Sequence, residues 1–174
     1  MLTPKPTRTL HSTGMKYLIA LGANLGNREE TFSRVLTDLE REVGQVIRRS
    51  AWYETKPVLH PAEPTYGQPS FLNGIVLMES ALAPIVVLER MHCIEAERGR
   101  NRLLETKAWS PRIIDLDLLA AEGKVMHTPG LVLPHPELHR REFVLEPLCE
   151  IAPDWVHPLF NKTARALYDE LLNR

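Results

Sequence analysis

Hydrophobic and polar positions follow two different periods along the first part of the chain. Residues 16–22 form a short apolar run that ends at a glycine, which favours a buried strand. After a polar loop, apolar side chains recur at helical spacing from Phe32 to Val43. Gly44 is expected to end this helix in the left-handed conformation. The period then changes to two over residues 45–55, which predicts a second strand.

The next elements indicate a fold class. Residues 71–79 and 112–120 are predicted as strands. Between them, Pro84 opens a predicted helix that ends at Gly99. The resulting order is strand, helix, strand, strand, helix, strand, which is the split βαβ, ferredoxin-like arrangement. We therefore predict an α/β fold of the α+β sandwich kind, built on an antiparallel sheet.

Two further helices and one long connection complete the predicted elements. Residues 143–151 and 164–172 are expected to form extra C-terminal helices. The second of them has Asn161 or Thr163 as its N-cap. Residues 56–69 contain four prolines and one glycine, which predicts an irregular surface loop. A connection of this length without regular structure is often functional.

Length and composition indicate an ordinary globular protein. The 174 residues predict one domain, which we assign to residues 16–174. Residues 1–15 lack the apolar stretch of a signal peptide and are expected to be a disordered extension. No run approaches the roughly 18 apolar residues of a membrane span, so a cytoplasmic location is expected. Cys93 and Cys149 lie in apolar helical patterns and are interpreted as buried thiols in a reducing compartment.

The charge balance limits the ligands that the chain can attract. A formal net charge of -1 gives no bulk attraction to nucleic acid or to an anionic membrane, so anions must be bound by local clusters. One such cluster includes Arg100, Arg102 and Arg112, whose guanidinium groups suit bidentate contacts with phosphate oxygens. Isolated arginines on a loop most often serve solubility alone. Their position directly before an acidic strand favours phosphate binding instead.

Two aspartates in the fourth predicted strand are the most specific functional feature. Side chains alternate along a strand, so Asp115 and Asp117 point to one face and Leu116 to the other. Their Cα atoms are then roughly 6.6 Å apart, at about 3.3 Å per residue. Carboxylates at this spacing can jointly hold hard cations that also bind phosphate oxygens. The alternative is that Arg112 and backbone amides satisfy both carboxylates at the strand end.

Rings and amides near these charges could hold a flat heterocycle. Phe71 and Asn73 share one strand face, although a core phenylalanine beside a sheet-edge asparagine is an equally simple interpretation. Trp109 lies in the basic segment, and His135 and Arg141 add an imidazole and a cation further along the chain. The sequence lacks Gly-x-x-x-x-Gly-Lys-Ser/Thr and the protein-kinase motifs, which excludes a P-loop kinase and a protein kinase.

Five sequence blocks together resemble the hydroxymethyl-dihydropterin pyrophosphokinases. The blocks are Ala20-Leu21-Gly22-Ala23-Asn24-Leu25-Gly26, Phe71-Leu72-Asn73, Gly99-Arg100-Asn101-Arg102, Trp109-Ser110-Pro111-Arg112-Ile113-Ile114-Asp115-Leu116-Asp117, and Leu133-Pro134-His135 with Arg141-Glu142-Phe143. They occur in the order of that family and with close to its spacing. The block that ends at Asp117 is the most specific of the five.

The resemblance implies a monomeric ferredoxin-like enzyme that moves a pyrophosphoryl group from ATP to a pterin alcohol and releases AMP. It implies two magnesium ions at Asp115 and Asp117, which with Arg100 and Arg112 form the catalytic group. The implied ATP contacts are His92, Glu95, Arg102, Trp109, Arg112, Leu118, His135 and Arg141. The implied pterin contacts are Thr55, Val58, Phe71, Asn73 and Phe143. The loops at residues 56–69 and 100–110 look like the mobile lids of that family.

Two other classes of protein remain open on the residues alone. A nucleotidyltransferase can also use two aspartates on a strand, but it would release pyrophosphate instead of AMP. A noncatalytic ferredoxin-like ligand-binding module would show no turnover, and it gives no reason for two carboxylates beside a cluster of arginines.

Overall fold

A computed structural model describes residues 14–57, 67–100 and 110–174. In these ranges the strands are β1 (Met15–Ala23), β2 (Gln45–Arg49), β3 (Tyr53–Thr55), β4 (Phe71–Ser80), β5 (Asp115–Ala121), β6 (Met126–Thr128), β7 (Leu131–Leu133), β8 (Val156–His157) and β9 (Lys162–Thr163). The helices are α1 (Arg28–Glu42), α2 (Pro84–Glu97), α3 (Glu142–Ile151) and α4 (Ala164–Leu172), with a 3-10 turn at Leu138–Arg140.

The main sheet is antiparallel and follows the order β2-β4-β1-β5, with β3 also paired to β4. Because β4 pairs antiparallel with both β1 and β2, these last two strands run in the same direction. By the same reasoning β4 and β5 run in the same direction on either side of β1. The predicted mixed α/β fold with an antiparallel sheet is confirmed.

Helices cover both faces of this sheet because successive side chains of a strand point in opposite directions. Tyr17 and Ile19 of β1 pack with α1 and α2 in one buried cluster. Leu18 of β1 and Ile75 of β4 pack with α3 and α4 in a second cluster. The result is three layers, and the second cluster lies on the face that also carries the aspartates of β5.

The helix boundaries confirm the predicted helices and correct one detail. The Asn27 side chain accepts a hydrogen bond from the Glu30 N–H at the start of α1, and Thr163 caps α4 in the same way. Gly44 was predicted to be left-handed, but its φ is not positive. A β-carbon there would lie 2.2 Å from the Glu79 carbonyl oxygen, so the glycine is required by close approach to β4.

The strand predicted over residues 45–55 is two strands, because Ser50 interrupts the ladder. The Ser50 hydroxyl accepts a hydrogen bond from the Ile75 N–H at 3.0 Å, a backbone donor that would otherwise pair with a strand. Trp52 then turns its ring onto Gly74, where a β-carbon would lie 2.3 Å from the ring. The side chains of Ser50 and Trp52 therefore redirect the chain between β2 and β3.

Three other expectations differ from the structure. The fourth predicted strand begins at Asp115 instead of residue 112. Residues 131–134 were expected to be extended, and β7 agrees with this, but its partner β6 and the hairpin β8–β9 were not predicted. Cys149 is buried as expected, but Cys93 is exposed because it lies on the outer side of α2. Within the described part of the chain, no helix has the length and apolar content needed to cross a membrane. Residues 1–13 of the predicted extension lie outside the described residues, but Met15, which was included in the extension, is the first residue of β1.

Candidate active site

A row of three residues crosses the sheet at one end of β1. Gly22 pairs with Asn73 of β4 on one side and with Asp115 of β5 on the other, so all three face the α3 side. A β-carbon at Gly22 would lie 3.4 Å from Asn73 Oδ1 and 3.9 Å from Asp115 Cβ. Two residues further along β5, Asp117 pairs with Ala20 and points to the same face. Small residues of β1 therefore separate the amide from the carboxylates.

Two arginines hold the Asp115 carboxylate. Arg100 donates through Nη1 to Asp115 Oδ1, and Arg112 donates through Nη1 to Asp115 Oδ2 at 2.7 Å. Arg100 Nη1 also contacts Glu95 Oε1 at 2.6 Å. Glu95 is 1% exposed and accepts a further hydrogen bond from the Leu116 N–H at 2.7 Å. These contacts link α2 to the first residues of β5.

The negative charge of Asp117 is less well balanced by nearby cations than that of Asp115. Arg141 Nη1 lies 3.6 Å from Asp117 Oδ2, which is longer than the contacts of Asp115 with its arginines. Burial raises the pKa of Asp117 and the charge of Asp115 raises it further, while His135, Arg141 and Arg112 act in the opposite sense. Burial also lowers the pKa of His135. An added cation would remove this repulsion between the two carboxylates.

The backbone around His135 and Arg141 places both side chains near Asp117. The His135 N–H donates to the Leu119 carbonyl at 2.7 Å, which fixes this segment to β5. Its Nδ1 accepts from the Glu137 N–H at 3.1 Å, so the other ring nitrogen is directed away from the backbone. Arg141 precedes the first turn of α3.

The residues present fit magnesium better than a metal that needs a complete protein cage. Asp115 and Asp117 supply hard oxygen donors on one face of β5. Among residues 14–57, 67–100 and 110–174, no group of three or more His, Cys, Asp or Glu side chains could hold a metal ion. Magnesium is typically bound through one or two carboxylates, with waters and substrate phosphates as the remaining ligands.

An amide and two rings lie on the same face, on the other side of Gly22. Asn73 is 5% exposed and donates through Nδ2 to Thr55 Oγ1 at 2.7 Å. Thr55 pairs with Phe71 across β3 and β4, which brings that ring next to the amide. Phe143 lies in the first turn of α3 and packs against the second core cluster. This grouping can offer hydrogen bonds and ring faces to a flat ligand.

Of the remaining expected contacts, one side chain faces away from the site, one is exposed on a helix and three are not described. The Leu118 side chain is 3% exposed and belongs to the core that packs with α1 and α2, on the face opposite Asp117. His92 is exposed on α2. Val58, Arg102 and Trp109 lie outside the described residues.

Sequence reasoning missed the role of Gly22 as a spacer and the contacts of Asn24. Both lie in the Ala20–Gly26 block, where the signal was a glycine and an amide directly after an apolar strand. Their significance depends on which strands flank β1, and a local pattern does not contain that information.

The three-layer α/β fold brings carboxylates and arginines together on one face, an arrangement suited to phosphate-bearing substrates. Residues 18–153 match the sequence profile of the 7,8-dihydro-6-hydroxymethylpterin-pyrophosphokinases (HPPK). The chain belongs to this family, whose reaction is pyrophosphoryl transfer onto hydroxymethyldihydropterin in folate biosynthesis.

Curated relatives agree with this assignment. The chain is 35% identical over 155 residues to the 2-amino-4-hydroxy-6-hydroxymethyldihydropteridine pyrophosphokinase of Synechocystis, covering 88% of this chain and 75% of that protein. It is 37% identical over 145 residues to the enzyme of the same name from Porphyromonas gingivalis, covering 80% and 92%. It is also 36% identical to the folic acid synthesis protein fol1 of Schizosaccharomyces pombe, of which it covers 20%.

Solved structures share the fold. The wild-type HPPK-DHPS of Plasmodium falciparum with pteroate superposes with a TM-score of 0.73 at 16% identity, covering 93% of this chain. The chain spans 43% of that protein, so the similarity concerns less than half of it.

Proposed function

We propose that this protein transfers the pyrophosphoryl group of ATP to 6-hydroxymethyl-7,8-dihydropterin, giving AMP and the pterin diphosphate. The observation that carries the proposal is the row Asn73–Gly22–Asp115. It puts an amide suited to a heterocycle edge directly beside the cluster of carboxylates and arginines. Substrates held on the two sides of Gly22 would meet above β1.

The bond changes of this reaction balance without a further reactant. The hydroxymethyl oxygen forms a bond to the β-phosphorus of ATP, and its proton is released to water. The bond from the β-phosphorus to the oxygen shared with the α-phosphorus breaks, and AMP leaves with that electron pair. Such transition states are loose, so positioning and charge neutralisation supply most of the catalysis.

On the phosphate side, Asp115 and Asp117 would hold two magnesium ions, which when bound neutralise phosphate charge. Arg100 and Arg112 lie against Asp115 and would contact the transferred group. Arg141 and His135, on the Asp117 side, would contact the triphosphate. His92, Glu95, Arg102, Trp109 and the backbone around Leu118 complete the proposed nucleotide site.

On the pterin side, Phe71 and Phe143 would stack on the two faces of the ring. Asn73 and Thr55, which already share a hydrogen bond, would read its polar edge together with the chain at Val58. Offset stacking of this kind contributes about 0.5–1.5 kcal/mol beyond the area it buries.

The wider proposal is that residues 16–174 form one ferredoxin-like unit that acts as a monomer in the cytoplasm. Its support is the strand order β2-β4-β1-β5, in which β4 lies between the codirectional strands β1 and β2. Such an insertion is the feature that defines the split βαβ arrangement. The unpaired thiols of Cys93 and Cys149 are consistent with a reducing compartment.

Identification of the nucleotide product tests the function. We expect the protein with ATP, magnesium and the pterin to form AMP and the pterin diphosphate. Release of pyrophosphate would indicate a nucleotidyltransferase, and absence of turnover would indicate a binding module. Asp117→Ala should abolish turnover, because it removes one of the two carboxylates proposed to hold magnesium. It should keep the fold, because the lost carboxylate is half-buried and repelled by Asp115, and both effects raise its pKa. A folded variant within tenfold of wild-type activity, with circular dichroism as the control, would contradict the metal assignment.

A further inference from the structure

Asn24 follows β1 directly and continues the pairing between β1 and β5. It is 2% exposed, so its polar groups are removed from water. Its N–H donates to the Arg112 carbonyl at 3.1 Å, and its Oδ1 accepts from the Arg112 N–H at 2.8 Å. Arg112 in turn contacts Asp115 through its guanidinium. Asn24 therefore fixes the backbone of a residue that lies against the candidate metal site.

The same side chain reaches the segment that enters β4. Asn24 Nδ2 lies 3.4 Å from Gln68 Oε1 and 3.4 Å from the Pro69 carbonyl. Both distances are at the long end for hydrogen bonds, so each contact is individually weak. Phe71, the first residue of β4, follows two positions after Pro69. One buried amide thus contacts the chain on both sides of β1.

Asn24 lies at the end of β1, next to the place where the two substrates would meet. The pairing of β1 ends at Ala23 with β4 and at Gly22 with β5. Beyond these residues, the Asn24 N–H and the Asn24 side chain supply contacts between β1 and the segments that enter β4 and β5. Asn73 lies two residues into β4, and Asp115 is the first residue of β5. Strand register already sets the separation of Asn73 and Asp115, so a bridge at Asn24 would set the separation of Arg112 on the phosphate side from the chain that leads to Phe71 on the pterin side.

We propose that Asn24 is a positioning residue that sets the spacing between the pterin-binding and phosphate-binding sides of the site. The inference rests on the proposed function, because spacing matters only if a group passes between the two sides. Misplacement of reacting groups by about 1 Å can reduce a rate by roughly 10²-fold. Each side alone keeps its own side chains, so binding of a single substrate depends little on Asn24.

Two substitutions separate the two halves of the bridge. Asn24→Asp keeps an acceptor for the Arg112 N–H and loses the donor to Gln68 and Pro69. Asn24→Ala loses the side-chain contacts on both sides. We expect kcat to fall by about 10-fold in the first variant and about 100-fold in the second. Dissociation constants for the pterin alone, and for magnesium with α,β-methylene ATP alone, should change by less than about threefold.

Asn27→Asp is the matched control. It is the same substitution in the same connection, and aspartate also accepts the Glu30 N–H at the start of α1. Wild-type kcat is expected for this variant. Thermal unfolding checks that all three variants are folded. If Asn24→Ala does not fold, the kcat of the nearly isosteric Asn24→Asp tests the positioning role.

The outcomes separate this inference from the function on which it rests. Wild-type protein that makes no AMP would overturn both. If wild type makes AMP and the folded Asn24 variants keep kcat within about threefold, only the positioning role is overturned. A loss of single-substrate affinity as large as the loss of kcat would also overturn it, because Asn24 would then serve binding and not spacing.

Discussion

At the scale of single residues, the absence of a side chain at Gly22 decides how close the two halves of the site can lie. The Gly22 φ is not in the left-handed region, so backbone strain does not explain the glycine. Instead, a β-carbon would enter the space between Asn73 and Asp115, 3.4 Å from the amide oxygen. That space adjoins the amide that we propose reads the pterin edge.

Gly22→Ala should therefore leave the fold intact and weaken pterin binding. Its methyl group meets its neighbours at 3.4 and 3.9 Å, which small shifts can accommodate, but it fills volume needed by the ring. One carbon in a binding pocket changes affinity or rate by about 10- to 200-fold. Titration with the pterin alone should show most of this loss, with little change for magnesium and α,β-methylene ATP.

Gly130→Ala is the control for that substitution. Its β-carbon would approach Ile85 Cδ1 at 3.9 Å, in a turn away from the carboxylates. Unchanged pterin affinity is expected. Equal pterin affinity in Gly22→Ala and wild type would show that the space above Gly22 is not part of the pterin site.

At the scale of elements, Glu95 joins α2 to β5 through one carboxylate oxygen. Glu95 Oε1 accepts from both the Leu116 N–H and Arg100 Nη1, and both contacts are buried. The family resemblance implies that Glu95 contacts the nucleotide. Its inward direction adds a structural role, because it orients Arg100 toward Asp115.

We expect Glu95→Ala to destabilise the protein by about 3–5 kcal/mol, since it removes one partner of a buried charged contact. Glu95→Gln keeps an acceptor for both donors and should cost about 1 kcal/mol. Urea unfolding measures both values. Glu97→Ala, on the exposed side of the same helix, is the control and should change stability by less than about 1 kcal/mol. Equal stabilities of the alanine and glutamine variants at position 95 would show that the hydrogen bonds of Glu95 to Arg100 and Leu116 do not stabilise the fold.

Features set by local geometry could be predicted from the sequence, whereas features set by contacts between distant strands could not. Periodicity predicted α1, α2, α3 and α4, and strand alternation put Asp115 and Asp117 on one face, because both follow from local geometry. The break between β2 and β3 was missed because Ser50 pairs with Ile75, which is 25 residues away. The row of Asn73, Gly22 and Asp115 was missed for the same reason, since it exists only through strand register.

At the scale of the whole molecule, a cluster of rings joins the β8–β9 hairpin to the rest of the fold. His157 is 2% exposed and stacks on Phe160, with ring centroids 4.4 Å apart. Trp155 and His139 meet the same imidazole edge-on at 5.6 and 6.2 Å. Burial lowers the pKa of His157, and the nearby charge of His139 lowers it further. The pKa of His139 is also lowered, chiefly by burial.

These pKa shifts predict that acid weakens the folded state. The unfolded chain takes up protons near the ordinary histidine pKa of about 6.5, whereas the folded protein takes them up only at lower pH. Unfolding therefore binds protons at pH values between the folded-state and unfolded-state pKa. The free energy of unfolding should decrease as the pH is lowered from about 7 to about 5. Below the folded-state pKa values both states are protonated, and this contribution to stability is lost.

His157→Asn tests the origin of that slope. The asparagine oxygen can replace Nδ1 as acceptor for the Leu159 N–H, a contact of 3.3 Å, but it does not titrate. Lost ring contacts lower the stability of this variant at every pH. The informative quantity is therefore the change in the free energy of unfolding with pH, measured by urea unfolding at several pH values from about 5 to 8. The slope should be shallower in His157→Asn and unchanged in His127→Asn, whose histidine is exposed on β6. A slope in His157→Asn as steep as that of wild type would assign the acid sensitivity to other groups.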